Sequence, residues 1–484
     1  MAALDVRPVF YVIGSLITIL AVAMLAPMLV DLAAGSSDWK VFGTASALTL
    51  FFGVLLLLTN WTPTITLNLR QTFLLTTLSW VIVCLFSALP FMFSVINLSA
   101  TDAYFEAMSG LTTTGSTVIA GLDTLPPGLL LWRALTQWLG GIGIVAMGIA
   151  ILPFLRVGGM QLFRSESSDR SDKVVARASD LAIWIGWVYL TMTVMTTVAL
   201  RFSGMTLFDA VTHAMAAVST GGFSTRDPSI TAWESDAIEW VLIIAMLAGG
   251  MPFVRFLSFA KGDPGAIWRD TQVRWYIGFL TVVSVAMGTW LSLREDLSWY
   301  DGVRLATFNV VSVVTTTGFA SADYNSWGPL AIAAFLVLTL VGGCTGSTAG
   351  GIKIFRFEIL FLVLKKQLIR LYSPHRVMPM TYNEKVVDND IMLSVMSFGF
   401  MFMAFLLVFT IALGAAGLDL ITALSGAATA LANVGPGLGA IIGPVGNFAP
   451  LPDSAKWILT AGMLLGRLEF FTVIVLMNPN FWRG

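Results

Sequence analysis

The chain has 484 residues, 57% of them apolar and only 11% charged, with a formal net charge of -1 and a mean hydropathy of +0.83. An average soluble domain carries about 25% charged residues, so this composition excludes a water-soluble globule, a disordered chain, a disulfide-built secreted scaffold and a nucleic-acid binder. Two cysteines, Cys84 and Cys344, and two histidines, His213 and His375, give no metal-ligand spacing and no histidine-based catalytic constellation, so free thiols, no cofactor and no enzymatic activity are expected.

A spanning helix needs about 20 apolar residues. Long apolar runs fall at 9–32, 43–59, 73–98, 129–155, 180–202, 238–260, 274–293, 328–372, 391–416 and 455–477. Each is a candidate span in a lipid bilayer. The N-terminal residues lead straight into the first run without a convincing cleavage site, so a retained first helix is expected. The run at 328–372 is too long for one crossing and is broken by glycines. Between later runs lie shorter helical stretches followed by threonine and glycine. Their length suits re-entrant segments that enter and leave on one side.

Basic residues set the orientation. With the N-terminus in the cytoplasm, most lysines and arginines fall inside, from Arg7 and Arg70 through Arg156, Arg164, Arg170, Lys173 and Arg177 to Lys365, Lys366, Arg370 and Arg376. Only Lys40, Arg133, Arg201, Arg226, Arg294, Arg304 and Lys456 fall outside, and Arg467 stands in the middle of the last run.

Four segments resemble one another: LTTTGSTV (111–118), VSTGGFST (218–225), VTTTGFAS (314–321) and ANVGPGLG (432–439). They align on Gly115, Gly222, Gly318 and Gly435 and recur roughly every hundred residues. Each follows a short apolar helix with an acidic residue near its start, Asp102, Asp209, Asp301 or Asp419, a favourable place for a carboxylate. The unit is span, re-entrant helix, glycine loop, span. It predicts an all-α membrane protein with two extra N-terminal helices in 1–69 and pore repeats at 70–179, 180–271, 272–388 and 389–484. The alternative, that threonine and glycine merely punctuate helix ends, would have to hold in the same place four times.

Irregular backbone at membrane depth survives only when buried in protein or facing water. Four glycine loops around one axis can turn their carbonyls inward and replace the water around a dehydrated cation. Re-entrant helices entering from outside aim their partially negative C-termini at the same place. No ring of Asp or Glu occupies the loops, so a monovalent ion fits better than calcium. Spacing alone does not separate potassium from sodium.

Two further features suggest a gate. Gly342, Gly343, Gly346, Gly350 and Gly351, with Thr345 and Ser347 among them, interrupt the second span of repeat three. Glycines cost about 1 kcal/mol each in a helix, so a loop within the pore is expected here, with close helix packing through small residues as the alternative. Arg467, a costly residue at membrane depth, is expected to face the pore and hold that loop; pairing with Glu469 or a lipid headgroup is the alternative. Lys353 and Arg356 either anchor the loop at the cytoplasmic boundary or belong to a docking face.

The stretches TTTGSTV, STGGFST, TTTGFAS, NVGPGLG, GGCTGSTAGGIKIFR (342–356) and GRLEFF (466–471) together resemble the Trk/Ktr/HKT superfamily of cation transporters over nearly the whole chain. The resemblance implies four M1–pore helix–M2 repeats with pseudo-fourfold symmetry around one pore, and potassium uptake across a bacterial inner membrane. It implies potassium held by backbone carbonyls of Thr113, Thr114 and Gly115; Thr220, Gly221 and Gly222; Thr316, Thr317 and Gly318; and Asn433, Val434 and Gly435. Members with serine in place of the first glycine tend to favour sodium, and Gly115 therefore supports potassium. The unequal loops imply approximate symmetry and some permeation by rubidium or sodium. A homodimer and a separate cytosolic nucleotide-binding ring of the TrkA type are implied as partners. A secondary symporter coupling potassium to protons or sodium is the competing reading, with His213 as its one candidate relay histidine.

Overall fold

The computed structural model describes residues 4–62, 67–150, 171–376, 379–383 and 385–483. Arg156, Arg164, Arg170 and the end of the 129–155 run lie outside the described residues.

Two N-terminal spans come first, Arg7–Ala34 and Trp39–Thr59. They cross closely because neither Gly14 nor Gly53 has a side chain: a Cβ on Gly14 would stand 3.0 Å from Gly53 O. Four repeats follow, each a leading helix, a short pore helix and a trailing helix. The leading helices are Leu69–Ser87 with Leu89–Phe93, Ser171–Phe202, Thr271–Glu295 and Asn389–Ala415. The pore helices are Ala100–Leu111, Leu207–Val218, Trp299–Val314 and Leu420–Ala432. A two-residue antiparallel ribbon, Thr381–Tyr382 with Lys385–Val386, precedes the fourth repeat.

The trailing helices differ most from expectation. Pro127–Ala150 is described as one helix, but the runs 238–260 and 455–477, each expected as one span, are bent. Asp236–Gly249 meets Phe253–Ala260 at 97°, and Asp453–Arg467 meets Phe471–Met477 at 103°. The first bend has a plain cause: Pro252 lacks a donor and disfavours helix at Met251, directly after Gly249 and Gly250. The second turns through Glu469, whose φ is 59°. The third trailing helix is the interrupted one, Pro329–Leu340 and Ile354–Tyr372, with the glycine loop between.

Burial follows the layers. The pore helices are buried almost all round near their C-termini, Ala103 and Phe105 through Leu111 in the first and Ala427 through Ala432 in the fourth, as central helices must be. Large apolar side chains such as Phe202, Leu293 and Phe400 stand exposed on the perimeter. An apolar belt of that kind suits lipid and not water. Both cysteines are free and buried.

Candidate functional site

Each pore helix starts with a side-chain cap. Ser99, Thr206 and Ser298 accept the backbone N–H of Asp102, Asp209 and Asp301, and each hydroxyl is in turn bonded to that aspartate's carboxylate. In the fourth repeat Asp419 is itself the cap, accepting from the N–H groups of Ile421 and Thr422. The acidic residues therefore mark the helix starts as expected, but three of them stand one turn inside and the hydroxyl does the capping. The third pore helix is one turn longer than the first two, 16 residues against 12. At the exposed ends, the Ser298 hydroxyl and then Arg304 hold the Asp301 carboxyl below its ordinary range. Hydrogen bonds from Thr422 do the same for Asp419. Both carboxylates thus stay charged at the positive ends of their helices.

Each pore helix ends in the same motif. The N–H groups of Thr113, Thr220, Thr316 and Asn433 reach back to the carbonyls of Gly110, Ala217, Val313 and Ala430. The next N–H groups, of Thr114, Gly221, Thr317 and Val434, reach Ser109, Ala216, Ser312 and Thr429. This is a Schellman ending, which needs a left-handed residue. Here that residue is not glycine: φ is 53° at Thr113, 51° at Thr220, 57° at Thr316 and 57° at Asn433. A β-branched residue there is a genuine outlier. Two residues on, Gly115, Gly222, Gly318 and Gly435 return to positive φ, at 88°, 77°, 84° and 110°. The alternation occurs in all four loops.

The four loops meet. A Cβ placed on Gly115 would run into Gly221 O, one on Gly222 into Thr317 O, and one on Gly318 into Val434 O. One on Gly435 would stand 2.7 Å from Thr114 O. Each glycine thus abuts the carbonyl before the next repeat's glycine, and the contacts close a ring in repeat order. The four glycines also line one shared depression, beside Ser116, Phe223 and Pro436. Two ring carbonyls already accept from the protein: Gly221 O from Gln137 Nε2 (2.5 Å) and Gly435 O from Ser116 Oγ (2.8 Å).

The trailing helices repeat too. Glycines at 140, 249 and 466 lie against the carbonyls of Leu111, Val218 and Leu431, each four residues before its ring glycine. Any side chain there would push a pore helix off the axis.

Below the ring lies the 342–351 loop, almost wholly buried. Its neck is a parallel bridge between Val341 and Ile352. The Gly350 N–H donates to Thr316 Oγ1 (2.6 Å), and the Thr348 hydroxyl lies 3.2 Å from that of Thr220. A Cβ on Gly350 would meet Asn433 at 3.1 Å. The loop therefore touches the left-handed residues of three pore loops. Both helix bends clasp it. The carbonyls that the first bend frees accept from the loop, Gly250 O from Cys344 N–H (2.8 Å) and Gly249 O from Thr348 N–H (3.2 Å) and the Thr348 hydroxyl (3.0 Å). At the second, Arg467 Nη1 donates to Thr348 O (2.9 Å).

Arg467 is buried and touches the loop as expected, but it stands at the end of its helix and not midway along a span. Glu469 is not its partner; it pairs with buried Arg356. The docking-face reading of Arg356 fails on that burial, and Lys353 Nζ donates to Ala349 O within the loop. His213 is packed inside its pore helix's surroundings, against Asp209 O, Ser224 Oγ, Trp233 and Phe319. Arg133, placed outside by charge counting, is buried: it bonds Glu106, Thr117 Oγ1 and Ser224 O, and covers the Phe223 ring. Sequence reading missed Glu106, Arg133 and Gln137. The signal was available, since Arg133 and Gln137 are two polar residues one helical turn apart in an otherwise apolar run.

An apolar perimeter, four pseudo-equivalent repeats and a closed ring of glycine loops define a multi-pass membrane protein of the pore-loop class. The sequence signature of the TrkH family, described as cation transport protein, matches residues 39–483, and the chain belongs to that family. It is 47% identical over 479 residues to the Trk system potassium uptake protein TrkI of Halomonas elongata, covering 98% of this chain and 97% of that one. It is 37% identical to the Trk system potassium uptake protein TrkH of Escherichia coli K12, with 99% of each covered. The crystal structure of the potassium transporter TrkH from Vibrio parahaemolyticus superimposes with a TM-score of 0.91 at 34% identity, covering 99% of this chain and 100% of that one.

Proposed function

We propose that this chain carries potassium into a bacterial cell across the inner membrane, with its N-terminus in the cytoplasm. Potassium passes through the ring as substrate, held by carbonyls of residues 113–115, 220–222, 316–318 and 433–435, and no cofactor takes part. The 342–351 loop, latched by Arg467 and anchored by Lys353 and Arg356, is the gate. The chain works as a homodimer with a cytosolic nucleotide-binding ring of the TrkA type.

One observation carries this reading: each ring glycine abuts a carbonyl of the next repeat, so four stretches of irregular backbone surround one axis. The pore-helix C-termini add partial negative charge there, and the number and field of the carbonyl dipoles favour a weakly held cation. The names of the relatives support potassium over sodium. Gly115 supports it as well, since serine at that place accompanies sodium preference in the wider superfamily.

The test is ion flux from purified protein in liposomes under an imposed potential. Potassium and rubidium are expected to enter faster than sodium, and Gly115→Ala, which would force a Cβ into Gly221 O at positive φ, to abolish flux of all three. Equal entry of anions, or full flux in Gly115→Ala, would sink the reading.

A further inference from the structure

Three of the four pore loops carry a side chain just before the ring glycine: Thr114, Thr317 and Val434. The second carries Gly221. The room so left is filled by Gln137 from the trailing helix of repeat one. A Cβ on Gly221 would stand 2.6 Å from Gln137 Oε1 and 2.8 Å from its Cγ. Gln137 is fully buried, and both ends of its amide are used. Nε2 donates to Gly221 O (2.5 Å) and Oε1 accepts from the Phe223 N–H (3.0 Å). The two bonds straddle Gly222. One side chain, from a different repeat, thus brackets the ring glycine of the second loop.

We propose that Gln137 is a positioning residue that sets the ion selectivity of the second quadrant. The proposal rests on the reading of the ring as a carbonyl site for a cation. A dehydrated sodium ion is smaller than potassium, so carbonyls must close inward to hold it. A carbonyl tethered from behind resists that movement. The Nε2–H bond also draws on the oxygen's electron density and weakens its field at the axis. Field strength and the freedom of the ligands decide between alkali ions, and both effects disfavour the smaller one. The bond to Phe223 N–H fixes the amide's orientation, so that the donor and not the acceptor faces Gly221 O. Mere packing would need the volume of Gln137 but not this orientation.

Two near-isosteric variants separate orientation from volume. Gln137→Glu keeps the acceptor for Phe223 N–H and, as a carboxylate, sets an unprotonated oxygen against Gly221 O; it is read at alkaline pH, because a buried carboxyl that stays protonated would donate to Gly221 O as the amide does. Gln137→Met keeps the length and loses both bonds. In liposomes each is expected to lower the potassium-to-sodium flux ratio about three- to tenfold, the worth of one hydrogen bond, while potassium flux persists. A purely structural role would lower both fluxes together and leave the ratio unchanged, and that result in either variant overturns the proposal. Ion-dependent melting of the purified protein in detergent supplies a second readout, since an ion that binds the native state raises its melting temperature. The excess protection by potassium over sodium should shrink in both variants. Where one Gln137 variant folds poorly, the other carries the test. If the parent protein itself passes no cation, the reading of the ring fails; if the parent selects potassium and the variants select it equally well, only the role of Gln137 fails.

Discussion

Thr113 shows how much of the pore is written in backbone conformation. The repeated T-T-T-G pattern announces a loop, and glycine announces positive φ, but nothing in the letters says that the threonine two places earlier is also left-handed. That follows from the Schellman ending, which is a property of the helix and not of the residue. A β-branched residue in that region costs about 1–3 kcal/mol, and the Thr113 hydroxyl has no partner among the described residues. Thr113→Gly is therefore expected to stabilise the protein by about 1 kcal/mol after the entropy cost of glycine, read as a higher melting temperature in detergent. It should at the same time lower the potassium-to-sodium flux ratio, because a loop that no longer needs constraint is free to close around the smaller ion. A variant that is less stable than the parent would show that Thr113 is not strained. The partner of Gln137 was illegible for a different reason: a glutamine in an apolar helix signals burial with some partner, but this partner is another repeat's backbone, and only the assembled fold brings them together.

At the level of elements, the apolar runs located the spans and the glycine spacing located the intramembrane loop, because both depend on composition alone. The bends at Gly249–Phe253 and Arg467–Phe471 were not legible, although Pro252 marked the first. An apolar run reads the same whether its helix is straight or folded back on itself. The bends matter because they expose carbonyls and a guanidinium at the height of the loop, which is how one loop is held from two sides. Arg467→Ala removes the hydrogen bond to Thr348 O, and cation flux in liposomes should rise several-fold; flux at or below the parent level in a well-folded variant would count against the latch. The second bend is itself held by Glu469 and Arg356, both buried. Truncating one member of a buried pair costs roughly 3 kcal/mol or more, so Glu469→Gln should melt markedly earlier than the parent, whereas an unchanged melting curve would remove the pair from any account of the bend.

Across the whole molecule, His213 is the one histidine that the symport reading offers as a proton relay, and it is held fast. His213 is buried against two hydrogen-bond partners and two aromatic rings. Reversal potentials in liposomes with opposed pH gradients are accordingly expected to follow potassium alone; a shift with pH at fixed potassium would instead favour coupled symport. The ring has one more property that a channel assembled from four identical chains lacks. Its glycine contacts run from each repeat to its successor, as in any cyclic ring, but here every quadrant is encoded separately. A substitution in a homotetramer is copied to all four corners at once, so small adjustments are amplified and most are ruinous. Here a single codon alters one corner and presses on one neighbour. Such a pore can be retuned by quarters, and its four unlike loops read as the record of that freedom.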